Sequence, residues 1–121
     1  MATLTRSIGA FESAFPVWIT VTAALDDASS TVVGFTRLVV ARDVRTVAWQ
    51  WQTIVLPEHR GHRLGMLVKV ENLAHLRTHE PAVTVIHTGN ADSNAPMLRV
   101  NVALGFVPLR KWSEWELTVP G

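Results

Sequence analysis

The sequence contains no cysteine and no tyrosine, and its 11 basic and 10 acidic side chains leave a formal charge of only +1. Without cysteine there is neither a disulfide framework nor a thiolate metal site, which agrees with a reducing compartment. Without tyrosine there is no phenol for proton transfer. A near-neutral chain has no overall field to recruit nucleic acid or an anionic membrane, so any basic site has to be local. No apolar run approaches the ~18 residues of a membrane span. The opening MATLTRSIGAFESAF also lacks the apolar stretch of a secretion signal. The expectation is a cytoplasmic protein with no membrane and no nucleic-acid partner. Internal repeats, low-complexity tracts and Gly/Ser linkers are missing too, so residues 1–121 read as a single domain.

What is present is a 48% hydrophobic chain with alternating patterns. Val17, Ile19 and Val21 alternate with Trp18, Thr20 and Thr22 in a strand over 17–25, closed by Asp26 and Asp27. A second strand over 31–41 makes a hairpin with it, and a third runs over 46–56 to Pro57. Met66, Leu67, Val70, Leu73 and Ala74 fall at helical spacing over 64–78, which leaves Lys69, Glu71 and His75 for the other side. Pro81 stops that helix, and 82–88 reads as a buried strand. Ser93 or Asn94 caps a second helix striped by Met97, Val100 and Leu104 and ended by Gly105. The tail, 107–119, makes one strand or a hairpin. The order is β, β, β, α, β, α, β: an α/β (α+β) mixed sheet, in which an antiparallel meander leads into a β-α-β crossover and a second helix.

The chemistry concentrates in LPEHRGHRLGMLVK, residues 56–69, where arginines, histidines and glycines join a strand to a helix. A nucleic-acid patch needs basic residues repeated along a face and interleaved with aromatics, and this cluster is short and runs into apolar helix. A metal site built on His59 and His62 lacks further ligands at a recognised spacing, so no metal is expected. A phosphate cradle accounts for more of the residues. Gly61 and Gly65 let backbone N–H groups approach an anion, the helix N-terminus favours negative charge, and Arg60 and Arg63 add to it. A tight turn shaped by the same glycines remains open. The loop is neither a Walker A sequence nor GxGxxG.

VLPEHRGHRLG, then the helix, then NADSNAPMLRVNVALGF resembles the GNAT superfamily of acyl-CoA N-acyltransferases, over about residues 17–117. The family's Arg/Gln-x-x-Gly-x-Gly/Ala loop matches Arg60, Arg63, Leu64 and Gly65, with Arg63 replacing the middle glycine. The resemblance implies acetyl-CoA (acyl-CoA) as cofactor and an amine as acceptor, joined by direct attack on the thioester. Amides of Gly61, His62, Arg63, Leu64, Gly65 and Met66 would hold the pyrophosphate. Thr53, Ile54 and Val55 would pair with the pantetheine arm like an added strand, with Asn94 beside it and Val55 supplying an oxyanion donor.

Other positions depart from the family. Asn101 stands where many members carry a general-acid tyrosine, and an amide donates a hydrogen bond without delivering a proton. Gly89 stands where some relatives carry a base glutamate, and Gln50 and Gln52 are not carboxylates. His87 is the remaining titratable candidate, with Glu114 and Glu116 behind it. The resemblance also implies a strand and two helices before Val17, and the 16 preceding residues are too few for them. A homodimer, a partner chain or the rest of a larger protein would then complete the acceptor side. Tryptophans 18, 49 and 51 read as core or as part of such a contact. The alternative is a non-catalytic or degenerate CoA-binding or assembly module.

Overall fold

The computed structural model of the chain describes residues 2–12, 15–89, 95–108 and 114–119. Its elements in chain order are β1 (Ala2–Glu12), β2 (Phe15–Leu25), β3 (Val32–Ala41), β4 (Val44–Val55), α1 (Leu64–His79), β5 (Val85–Gly89), α2 (Ala95–Leu104), β6 (Val107–Pro108) and β7 (Glu114–Thr118). They form a mixed seven-stranded sheet in the order β1-β2-β3-β4-β5-β7-β6. The β4-α1-β5 crossover creates the parallel pair, Val47–Gln50 against Val85–Thr88, and the other neighbours run antiparallel.

The amino-terminal segment corrects the expectation. It forms a full strand paired with β2 from Ala2↔Leu25 to Glu12↔Phe15, so the first strand is not lacking. Only positions 13 and 14 separate β1 from β2, which leaves no room for intervening helices. The alternation Leu4, Arg6 against Thr3, Thr5 in that segment is strand-like, but it is short of β-branched apolar residues and does not stand out beside β2.

The helix-covered face holds the core. Leu38, Val40, Ala48, Leu76, Val83, Ile86 and Phe106 are buried together, with Trp18, Trp115 and Leu117 packed against them. A second cluster joins Ala24, Val33, Leu64 and Val68 at the start of α1. Burying side chains of this size stabilises by about 1.5–3 kcal/mol each relative to exposure.

The face that α1 buries is not the one its apolar pattern suggests. Leu64, Val68, Lys69, Asn72 and Leu76 are its buried residues, and Val70 is 44% exposed. Asn72 explains the rotation. Its Nδ2 donates to Thr20 O at 2.9 Å, and its Oδ1 accepts from Thr22 Oγ1 at 3.1 Å. Buried polar groups that satisfy one another cost little, whereas turning Asn72 outward would forfeit both bonds. The displaced apolar residues Val70, Leu73 and Ala74 line a shallow groove with Leu104 and Leu117 instead.

Two further joints position the site. At the end of α2, Gly105 adopts φ +99°, and Phe106 N–H donates back to Asn101 O at 3.0 Å, closing the helix as the glycine suggests. In β4 the register against β3 slips between Thr36↔Thr53 and Leu38↔Gln50, which inserts an extra β4 residue there. Gln50 Nε2 fills that bulge, within hydrogen-bond distance of Thr36 Oγ1, Arg37 O and Trp51 O. Among the described residues no helix is long and apolar enough to cross a membrane.

Candidate functional site

β4 outruns its parallel partner. Pairing with β5 ends at Gln50↔Thr88, and β4 continues to Val55 with that edge open. Leu56 N–H donates to Val33 O, so the alternation of an antiparallel ladder turns the Val55 backbone the opposite way. There its carbonyl accepts from Arg60 Nε at 3.0 Å. Arg60 therefore ties the loop to the strand end. Among the described residues that leaves the Thr53 backbone and the Val55 N–H, but not the Val55 carbonyl, open to an extended ligand.

From β4 the chain makes a 3-10 turn at Pro57–His59 and reaches α1 through two left-handed positions. Gly61 has φ +86° and Arg63 φ +58°. Arg63 thus adopts the conformation that a glycine would take without strain, at a cost of about 1–2 kcal/mol for a side-chain-bearing residue. Arg63 is also the N-cap of α1, and its side chain makes no capping hydrogen bond. The first-turn amides of Leu64, Gly65 and Met66 precede the first intrahelical bond, Leu67 N to Arg63 O, and no acidic residue lies in that turn. Such a bare helix end suits an anion through its donors and its dipole.

The space around it has the room an anion needs. A Cβ built on Gly61 would meet nothing within 4 Å, and one on Gly65 would come no closer than 3.9 Å to Met97. Thr53, Ile54, Val55, Arg60, Gly61 and Arg63 line an open cleft of about 580 Å³, together with Leu64 to Met66 and the α2 residues Met97, Arg99 and Val100. His62 is exposed and is not part of this lining. Asn94 lies outside the described residues.

The cleft continues. Thr53, Ile54 and Met97 also wall a second space of about 380 Å³ where β4 and β5 part, with Gln50, Thr88, Gly89 and Lys69. A third space, of about 400 Å³, shares Gln50, Trp51, Thr88 and Gly89 and adds Trp49, His87 and Trp115. The shared walls make one trough that runs from the loop, through the splayed strands, to the face without helices.

The trough's polar groups divide between the two faces. Ala48 and Ile86 point into the core, so their neighbours Trp49 and His87 point to the opposite face. His87 Nε2 lies 3.0 Å from Glu116 Oε2 across the β5–β7 pair, with both side chains about one-third exposed at 35% and 30%. On the helix side, Lys69 is 2% exposed and Asn101 wholly buried. Lys69 Nζ donates to Asn101 Oδ1 at 2.6 Å and sits 5.9 Å from the Phe106 ring centroid. Desolvation pushes the Lys69 pKa down to about 8. The helical spacing had assigned Lys69 to the outer side of α1. It is buried because Asn72 and Val68 set the helix rotation, which carries Lys69 into the splay. Asn101 is not in the trough wall but behind Lys69.

No family model and no curated protein sequence matches the chain. Solved structures do. A tandem GNAT protein from the clavulanic acid biosynthesis pathway, solved without acetyl-CoA, is 39% identical, with a TM-score of 0.75 over 87% of this chain and 33% of its own. The chain therefore spans about a third of that protein. An acyl-CoA N-acyltransferase structure from Klebsiella pneumoniae has a TM-score of 0.71 at 13% identity, over 83% of this chain and 72% of its own. A ribosomal-protein-alanine N-acetyltransferase from Brucella melitensis has 0.69 at 17% identity, over 84% and 69%. The mixed sheet with its β4-α1-β5 crossover is thus the GNAT fold.

Proposed function

We propose that the chain binds acyl-CoA, acetyl-CoA in the first instance, and transfers the acyl group to an amine. The observation that carries this reading is the continuous trough from the uncapped N-terminus of α1 to the gap between β4 and β5. The residues fit the cofactor. Unpaired amides of Leu64 to Met66 and the arginines suit a pyrophosphate, and the open β4 edge at Thr53 suits an amide-bearing arm.

Acyl-CoA supplies an acyl carbon activated as a thioester. The chain's own groups take up the rest. The loop amides fix the anionic end, β4 aligns the arm, and the acceptor enters from the helix-free face, where His87, held by Glu116, takes the amine's proton. A second GNAT unit, as a partner domain or a second copy, completes that face. The tandem arrangement of the 39% identical protein supports this.

Calorimetric titration with acetyl-CoA tests the reading: saturable binding is expected, and none at millimolar ligand would sink it. Thiol release with a panel of amines then separates an enzyme from a module that only binds.

A further inference from the structure

Among the described residues, Lys69 is a lysine buried in the wall of a cleft. An ammonium withdrawn from water costs several kcal/mol unless it is well paired. Among the described residues its hydrogen-bond partner is a neutral amide oxygen, Asn101 Oδ1, and no carboxylate bridges to it. Among the described residues Asn101 Nδ2 has no hydrogen-bond partner. The reversed amide would set donor against donor, so the lysine fixes which way Asn101 points. A methionine would fill the same volume without the desolvation cost, so packing alone does not explain an amine here.

The location supplies a reason. The space that Lys69 lines lies between the loop cleft and the helix-free face, sharing Thr53, Ile54 and Met97 with the first and Gln50, Trp51, Thr88 and Gly89 with the second. On the acyl-CoA reading, on which this inference rests, that is where the thioester end of the arm meets the acceptor.

We propose that Lys69 is a catalytic acid: its Nζ delivers the proton that the departing sulfur needs, and Asn101 is the positioning residue that aims it. The balance closes. The amine nitrogen bonds to the acyl carbon, and the C–S bond breaks with its electron pair on sulfur. Sulfur takes a proton from the Lys69 ammonium, the amine gives one up on the opposite face, and Lys69 regains one from solvent. Burial brings the lysine down to about 8, close to the ~8.5 of an ordinary thiol, so the transfer is nearly isoenergetic while the group stays mostly charged at neutral pH.

The test compares the unaltered chain with Lys69→Met, Lys69→Arg and Asn101→Leu. It measures affinity for CoA and for desulfo-CoA by calorimetry, the ultraviolet thiolate band of bound CoA as pH is raised, and thiol release with an amine. The unaltered chain is expected to depress the titration of the bound thiol. Lys69→Met should bind desulfo-CoA within about threefold of the parent, lose that depression and lose ~100-fold or more in turnover. Lys69→Arg should keep the depression but not recover turnover, because a guanidinium does not give up its proton. Asn101→Leu should lie between. Unchanged turnover and an unchanged thiolate titration in Lys69→Met would overturn the proposal. So would a thiol that titrates normally in the unaltered chain. Failure of the unaltered chain to bind CoA at all overturns the acyl-CoA reading itself, before any variant is compared.

Discussion

The two faces of the sheet solve opposite problems. The face under α1 and α2 is closed, and it holds buried polar groups in fixed pairings: Asn72 with Thr20 and Thr22, Lys69 with Asn101. The other face carries Trp49, His87 and Glu116 in adjacent strands, half open to solvent. A ligand with a charged end and a reactive end needs both environments. It needs a rigid, donor-rich cradle where binding energy is gathered, and an accessible mouth where a second substrate arrives. The gap between β4 and β5 joins the faces, because β4 runs on to Val55, five residues past its last pair with β5 at Gln50.

The most severe way to break this division is to fill the cradle while leaving the fold alone. Gly65→Asp places a carboxylate in the first turn of α1. There the helix dipole welcomes it, and the Cβ has space against Met97 at 3.9 Å. Melting temperature should hold or rise slightly. Acyl-CoA affinity should fall by two to three orders of magnitude, on the order of 3–4 kcal/mol, because like charge meets the pyrophosphate among the same amides. Unchanged affinity by calorimetry would detach the loop from coenzyme binding.

The closed face makes a second prediction through stability. The folded-state pKa of Lys69 is lowered from 10.5 to about 8. Between those values the unfolded chain binds more protons than the folded one, so unfolding free energy rises with pH. The penalty of burying the ammonium is fully present below about 8 and is relieved as pH approaches 10.5. The whole effect is on the order of 3 kcal/mol. Urea denaturation across that range should show the rise in the parent and a flatter profile in Lys69→Met, whose stability at neutral pH should exceed the parent's.

The open face responds differently. His87→Ala removes a half-exposed ring from a 3.0 Å contact with Glu116, so it should leave coenzyme affinity and melting temperature nearly unchanged. Turnover should fall by about tenfold or more. Glu116→Gln should give a smaller loss in the same direction, since it keeps a hydrogen-bond acceptor but not the charge. Full activity in His87→Ala would remove the histidine from the reaction and leave the acceptor mouth without a base.

How much of this was legible in the sequence follows from the range of the interactions involved. The loop was legible because its signals are local: Gly61 requires its own positive φ, and a helix end is bare or capped according to its own neighbours. The order of elements from β2 onward, and the parallel β4–β5 pair, followed from alternation and from the proline and glycine stops. Lys69 was not legible. Its burial depends on the rotation of α1, which Asn72 sets through Thr20 and Thr22, some 50 residues away. The apolar residues of α1 indicated a different face. β1 was missed for a related reason: it is held by pairing with β2 along its whole length, and little in its own composition demands that.

Arg63 gives the smallest and most local test of the closed face, and it separates two roles within one residue. Its backbone sits at φ +58°, where glycine would be relaxed, while its side chain is an exposed cation at the cleft wall. Arg63→Gly relieves the left-handed strain but frees the unfolded backbone, so the net gain in stability should be about 1 kcal/mol or less. The same change removes a charge that faces the anion, so acyl-CoA affinity should fall by a few-fold, and less so as salt is raised. Arg63→Lys should restore most of the affinity and none of the stability. If Arg63→Gly proves less stable than the parent, the left-handed turn is not the strained element of the loop. The arginine would then be stabilising the fold rather than the ligand.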